Sequence, residues 1–180
     1  MMIVITGGPS VGKSTLLNEL RKIGFTVVSE QATEVIKEGK ILPWENRDAF
    51  QREVLRRQIE AEAPFHNSKQ TLFVDRCVFD GESYYQCGGI EPPSVFQELS
   101  AMQYSKVLLL EPLGVFVHDR IRFEDMEFTV RIIQVLRDVY YEKGFDVNSI
   151  PAETKTRRMQ LALSSICEPL CAPSFVAGRK

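Results

Sequence analysis

Nine residues near the N-terminus constrain this chain more than any others: Gly7-Gly8-Pro9-Ser10-Val11-Gly12-Lys13-Ser14-Thr15. They follow the apolar, β-branched run Met2-Ile3-Val4-Ile5-Thr6, which reads as a buried parallel strand. They precede Leu16, Leu17, Leu20 and Ile23, which share one side of a helix. Strand, G-x-x-x-x-G-K-S loop and helix therefore stand in register. The glycines let the backbone curl so that successive N–H groups face inward. The helix N-terminus adds its dipole at the same point, and an anion suits such a cradle. Lys13 is expected to reach the β- and γ-phosphates of a nucleoside triphosphate, and the Ser14 hydroxyl to take a place on Mg²⁺. All nine residues, Gly7 through Thr15, are expected to contact the nucleotide.

The rest of the chain alternates strand and helix patterns. Strands are predicted over 2–6, 25–28, 71–74, 106–110 and 146–150, and helices over about 13–23, 31–37, 46–63, 79–86, 121–141 and 153–164, with another opening near Pro93. Asn46 is placed to cap the third helix, with Phe50, Val54, Ile59 and Ala63 inward. In the helix over 121–141, Phe123, Met126, Val130, Ile133 and Tyr140 fall on one face. The pattern predicts an α/β fold: a three-layer, doubly wound parallel sheet of about five strands in a single domain, 1–180, with a lid segment at about 114–124. Ligands in such sheets bind at the carboxyl ends of the strands.

The chain has 180 residues, 44% of them apolar and 26% charged, which fits a soluble enzyme with a full core. A net charge of −2 with no basic stripe argues against nucleic acid as a partner. No apolar run approaches the roughly 18 residues a membrane span needs. The start of the chain runs straight into a strand, leaving no room for a signal peptide. Cys77, Cys87, Cys167 and Cys171 form no C-x-x-C pair, and His66 and His118 are the only histidines. Free thiols in the cytoplasm are the expectation, with no structural metal.

After the third strand, Asp75 stands where a Walker-B acid holds Mg²⁺ directly or through water, so Ser14 and Asp75 are the expected metal ligands. In many ATPase motors the next residue is a Glu that polarises water. Here it is Arg76, which favours transfer to a bound acceptor over hydrolysis. Glu30, after the second strand, either enters an acceptor pocket and takes a hydroxyl proton or caps a helix. Asp80 is either a substrate or ion-pair partner or an exposed acid. Tyr84 and Tyr85 either stack on a ring or pack. Trp44 either walls the acceptor site or plugs the core. His118-Asp119-Arg120-Ile121-Arg122 offers two arginines to close over the phosphates, Arg122 first. No N-K-x-D segment reads guanine, which favours ATP, and Pro151 lies where adenine commonly packs.

These motifs together (the phosphate loop, Glu30, Asp75-Arg76-x-x-x-Asp80, Arg122 with Glu124, Tyr140-x-x-x-Gly144, and Pro151 with Arg158) resemble a family of small bacterial ATP-binding proteins. Their P-loop domains carry an AAA label but are organised like nucleoside kinases. The family is similar to the kinase domain of the bacterial NAD regulator, which phosphorylates nicotinamide riboside, and more distantly to deoxynucleoside and thymidylate kinases. The resemblance covers about residues 2–165. It implies a P-loop NTPase of nucleoside or nucleotide kinase type, with Lys13, Glu30, Asp75, Arg76 and Arg122 in catalysis. The expected function is ATP- and Mg²⁺-dependent phosphoryl transfer to a small-molecule acceptor: a nucleoside, nucleotide or related metabolite. The alternative is a nucleotide-dependent regulatory ATPase or switch.

Overall fold

In the computed structural model, residues 1–99, 104–113 and 126–167 are described. The 114–124 lid with His118, Arg120 and Arg122, together with Glu124 and Cys171, lies outside them. The strands are β1 (Met2–Thr6), β2 (Thr26–Val28), β3 (Leu72–Asp75), β4 (Lys106–Leu110) and β5 (Val147–Ile150). The helices are α1 (Lys13–Lys22), α2 (Gln31–Glu38), α3 (Arg47–Glu62), α4 (Val78–Cys87), the single turn α5 (Val95–Glu98), α6 (Met126–Glu142) and α7 (Lys155–Cys167).

All strand pairings are parallel, in the order β2-β3-β1-β4-β5. The central strands β1, β3 and β4 are buried along their whole length, which is why their sequences are continuous apolar runs rather than alternating ones. Helix contacts fall into two groups: α1 packs with α7, while α2, α3, α4 and α6 pack in succession. Phe73, Leu108 and Leu109 from the sheet share the core with Leu17, Leu20, Phe79, Tyr85 and Tyr140 from the helices. With β1 central and its neighbours crossing to either side, the ends of β1, β3 and β2 stand side by side, and the loops that leave them form the site.

Two helix faces differ from the sequence expectation. In α6, Val130 is 60% exposed, and the buried face is Thr129, Ile132, Ile133, Leu136, Val139 and Tyr140. The apolar residues alone mark a stripe turned aside from the true one, because a buried threonine belongs to it. In α3, Asn46 caps as expected, its Oδ1 accepting from Ala49 N at 3.0 Å. The buried residues, however, are Phe50, Gln51, Leu55, Gln58 and Glu62, and Ala63 is exposed. This face meets a cavity as well as the core, so its residues are partly polar.

Candidate active site

The phosphate loop leaves β1 at Gly7 and enters α1 at Lys13. Gly7 has φ 141°, and a Cβ there would lie 2.8 Å from Leu110 O, so no side chain fits. At Gly8 a Cβ would meet Thr129 Cγ2 at 2.8 Å, which sets the loop directly against α6. Lys13 is buried and folds back on its own loop, its Nζ donating to Gly7 O at 2.9 Å and Gly8 O at 2.7 Å. Burial, and then the charge of Arg76, pull its pKa below the ordinary lysine range. Negative charge placed in the loop would oppose both influences. Ser14 and Thr15 open α1 and remain exposed.

Opposite the loop, Asp75 ends β3 at 9% exposure, and its Oδ1 has no hydrogen-bond partner among the described residues. Burial, then the nearby Glu30 charge, hold its pKa above the usual carboxylate range. Arg76 follows with φ 59°, a left-handed conformation rare for a residue with a side chain. Its N–H donates to Ile5 O at 3.1 Å, and its carbonyl accepts from Gln58 Nε2 at 3.1 Å. The side chain lies over the Tyr84 ring at 4.9 Å, donates to Tyr84 Oη at 2.5 Å, and brings Nε within 3.1 Å of Glu30 Oε1. That last contact is an ion pair without hydrogen-bond alignment. Burial works against the guanidinium charge, but Tyr84 and the surrounding carboxylates outweigh it and raise its pKa.

Glu30 holds the N-cap position of α2 yet makes no side-chain cap bond. It accepts from Thr33 Oγ1 at 3.0 Å and faces Arg76 instead. Asp80 fills the capping role for α4: its Oδ2 accepts from Cys77 N at 2.9 Å and from Tyr140 Oη at 2.5 Å, and its Oδ1 from Thr6 Oγ1. At 3% exposure it is neither a solvated acid nor a free ligand. Tyr85 is a core residue, and Tyr84 lines the site.

One cavity of about 830 Å³ joins these groups. Its walls include Pro9 through Thr15, Glu30, Arg76 and Tyr84. Gln51 and Gln58 of α3 and Phe128 of α6 close it. Trp44, 54% exposed, stands at its rim rather than in the core. A second cavity of about 70 Å³ lies between α1 and α7, bounded by Gly12, Thr15, Glu153 and Arg158. Pro151 offers its carbonyl to Arg158 Nε at 2.9 Å. The structure thus brings Lys13, Ser14, Glu30 and Arg76 to one cavity, with Asp75 in electrostatic reach of them.

The sequence profile of the AAA domain family matches residues 2–158. The chain belongs to this AAA domain family. No curated protein sequence matches it significantly. Among solved structures, deoxyadenosine kinase from M. mycoides with bound dATP is 15% identical, with a TM-score of 0.62 over 93% of this chain and 100% of that one. Thymidylate kinase from Candida albicans is 13% identical, with a TM-score of 0.66 over 92% and 90%. Thymidylate kinase from Ehrlichia chaffeensis is 13% identical, with a TM-score of 0.65 over 92% and 98%. These likenesses are of fold. The AAA domain here is a P-loop NTPase built like the nucleoside and nucleotide kinases. Among the described residues, no helix is long and apolar enough to cross a membrane, and no His, Cys, Asp and Glu cluster could hold a metal by itself.

Some residues of this AAA domain at the site are invisible to motif reading. Gln51, Leu55, Gln58 and Glu62 form a stripe at i, i+4, i+7 and i+11, so helical spacing marks it once glutamines count as inward residues. Gln58 Nε2 also donates to Glu62 Oε1 at 2.7 Å, and the other Glu62 oxygen accepts from Tyr104 Oη. Burial pushes Glu62 up to about 7 against these two hydrogen bonds. Arg158 enters the sequence motifs beside Pro151, but its bonds to Val11 O and Glu111 O join segments remote in the chain.

Proposed function

We propose that this AAA domain transfers the γ-phosphoryl group of ATP to a hydroxyl of a small-molecule acceptor of the nucleoside, nucleotide or related metabolite class. The reading rests on the Glu30–Arg76 pair, which shares one cavity with Lys13 and Ser14. A carboxylate in that wall can accept the proton of a hydroxyl. Glu30 takes the hydroxyl proton, the acceptor oxygen bonds to the γ-phosphorus, and the bond to the β-phosphate oxygen breaks to release ADP. Arg76 holds Glu30 in place through their ion pair. Lys13 exchanges its loop carbonyls for phosphate oxygens. Ser14 and Asp75 fit Mg²⁺, because the buried, unpartnered Asp75 oxygen is an open cation ligand; when bound, the ion offsets phosphate charge and aligns the phosphates.

The wider cavity offers aromatic walls at Tyr84 and Phe128 and amides at Gln51 and Gln58, a lining suited to a ring with polar edges. Pro151 is the sequence candidate for packing against the nucleotide base. Arg122 is the sequence candidate for closing on the phosphates.

The test is a mass-based screen of the purified protein with ATP–Mg²⁺ and an acceptor panel. Nicotinamide riboside, the acceptor of the kinase domain that the sequence resembles, belongs in it, with deoxyadenosine and thymidylate from the fold relatives. A phosphorylated acceptor supports the kinase reading. Phosphate released to water alone, with every acceptor, supports a regulatory ATPase or switch.

A further inference from the structure

We propose that Arg158 is the positioning residue that keeps the phosphate loop shaped for an anion, by holding the Val11 carbonyl turned away from the nucleotide. The proposal rests on the phosphate-binding reading above. A backbone cradle for an anion needs its N–H groups inward and its carbonyls outward, because an inward carbonyl sets a partial negative charge against the phosphates. Each outward carbonyl then needs its own donor.

For four of the loop's carbonyls the donors can be traced. Gly7 O and Gly8 O accept from Lys13 Nζ, and Gly12 O accepts from Leu16 N inside α1. Val11 O accepts from Arg158 Nη1. The two lysine bonds are provisional, since Lys13 is also the group that must reach the phosphates. The Arg158 bond is not, because Arg158 lines the small cavity between α1 and α7 and not the large one. It grips the loop from behind, and a Cβ on Gly12 would sit 3.4 Å from its Nη1.

Its other bonds make this grip rigid. Nη2 donates to Glu111 O at 2.6 Å, just past β4, and Nε to Pro151 O at 2.9 Å, just past β5. Arg158 is 4% exposed and forms no ion pair among the described residues, so its planar fork is satisfied by three main-chain carbonyls. The loop is thereby fixed to the ends of two strands that do not contain it. An ammonium group on the same helix has no such fork.

The deciding measurement is calorimetric titration with inorganic tripolyphosphate and Mg²⁺, which reports the cradle without a base or an acceptor. Arg158→Ala and Arg158→Lys are each expected to weaken tripolyphosphate binding by about tenfold or more. Millimolar guanidinium chloride is expected to restore most of the affinity of Arg158→Ala, while urea and sodium chloride at matched concentration do not. A merely structural loss would not respond to the cation. A folded variant that binds within about threefold of wild type, or a loss that guanidinium leaves untouched, overturns the role given to Arg158. If Arg158→Ala does not fold, Arg158→Lys decides by the same affinity limits. A wild-type protein that binds no tripolyphosphate overturns the phosphate-loop reading itself, and this one with it.

Discussion

At the scale of single residues, the site stores charge it does not fully satisfy. Among the described residues, Lys13 is bonded only to the two carbonyls of its own loop, and both bonds are replaceable. Lys13→Ala should lower ATP–Mg²⁺ affinity by roughly tenfold to hundredfold, since charge-assisted bonds to phosphate disappear. Thermal unfolding should show the fold intact, because only loop carbonyls lose a partner. Asp75 makes the complementary case. Its ionised form is disfavoured by burial and by Glu30. Asp75→Asn should raise the unfolding free energy of the ligand-free protein by about 1 kcal/mol in urea titrations. The same variant should bind ATP equally with Mg²⁺ and with EDTA. An unchanged gain in affinity from Mg²⁺ would remove Asp75 from the metal site.

Among the elements, α3 carries the clearest pH dependence. Glu62 on its buried edge has a pKa raised from 4.5 to about 7, because burial favours the neutral acid. The folded state therefore holds a proton that the unfolded chain has released between about pH 4.5 and 7. Stability contributed by Glu62 is complete below that window and is lost as pH rises through it, by roughly 3 kcal/mol. Glu62→Gln, a fixed mimic of the protonated acid, should flatten that slope in urea titrations across pH and be the more stable form at pH 8.

The same helix shows what the sequence makes legible. The sheet is readable because β1, β3 and β4 are unbroken apolar runs ending in turn residues, and the phosphate loop because its geometry permits so few residue types. The faces of α3 and α6 are not, because the polar residues Gln51, Gln58, Glu62 and Thr129 are buried on them. Glu30 has two readings in sequence, and only tertiary contact with Arg76 separates them. Asp80 looks free in sequence since the partners that bury it, Thr6 and Tyr140, are 74 and 60 positions away.

Across the whole molecule, triphosphate binding should act as a global stabiliser. The loop is joined to β1, α1, α6 and, through Arg158, to the ends of β4 and β5. ATP–Mg²⁺ at about a hundred times its dissociation constant should add about 2.7 kcal/mol of stability and raise the melting temperature by roughly 5–10 °C. Lys13→Ala should lose most of that shift, and a full shift in the variant would place the nucleotide elsewhere.

The strand order also ranks the two halves of the site by how readily they open. The phosphate loop grows from β1, the middle strand, whereas Glu30 follows β2, a three-residue edge strand that is partly exposed. Edge segments with few buried groups exchange their amide hydrogens through small local openings, and a central strand exchanges only when the whole domain unfolds. Amides of Ile3, Val4 and Ile5 should therefore be the slowest in the molecule, and those of Thr26 to Val28 much faster. In mild denaturant the chain should pass through a population that still grips polyphosphate while the wall bearing Glu30 has already frayed.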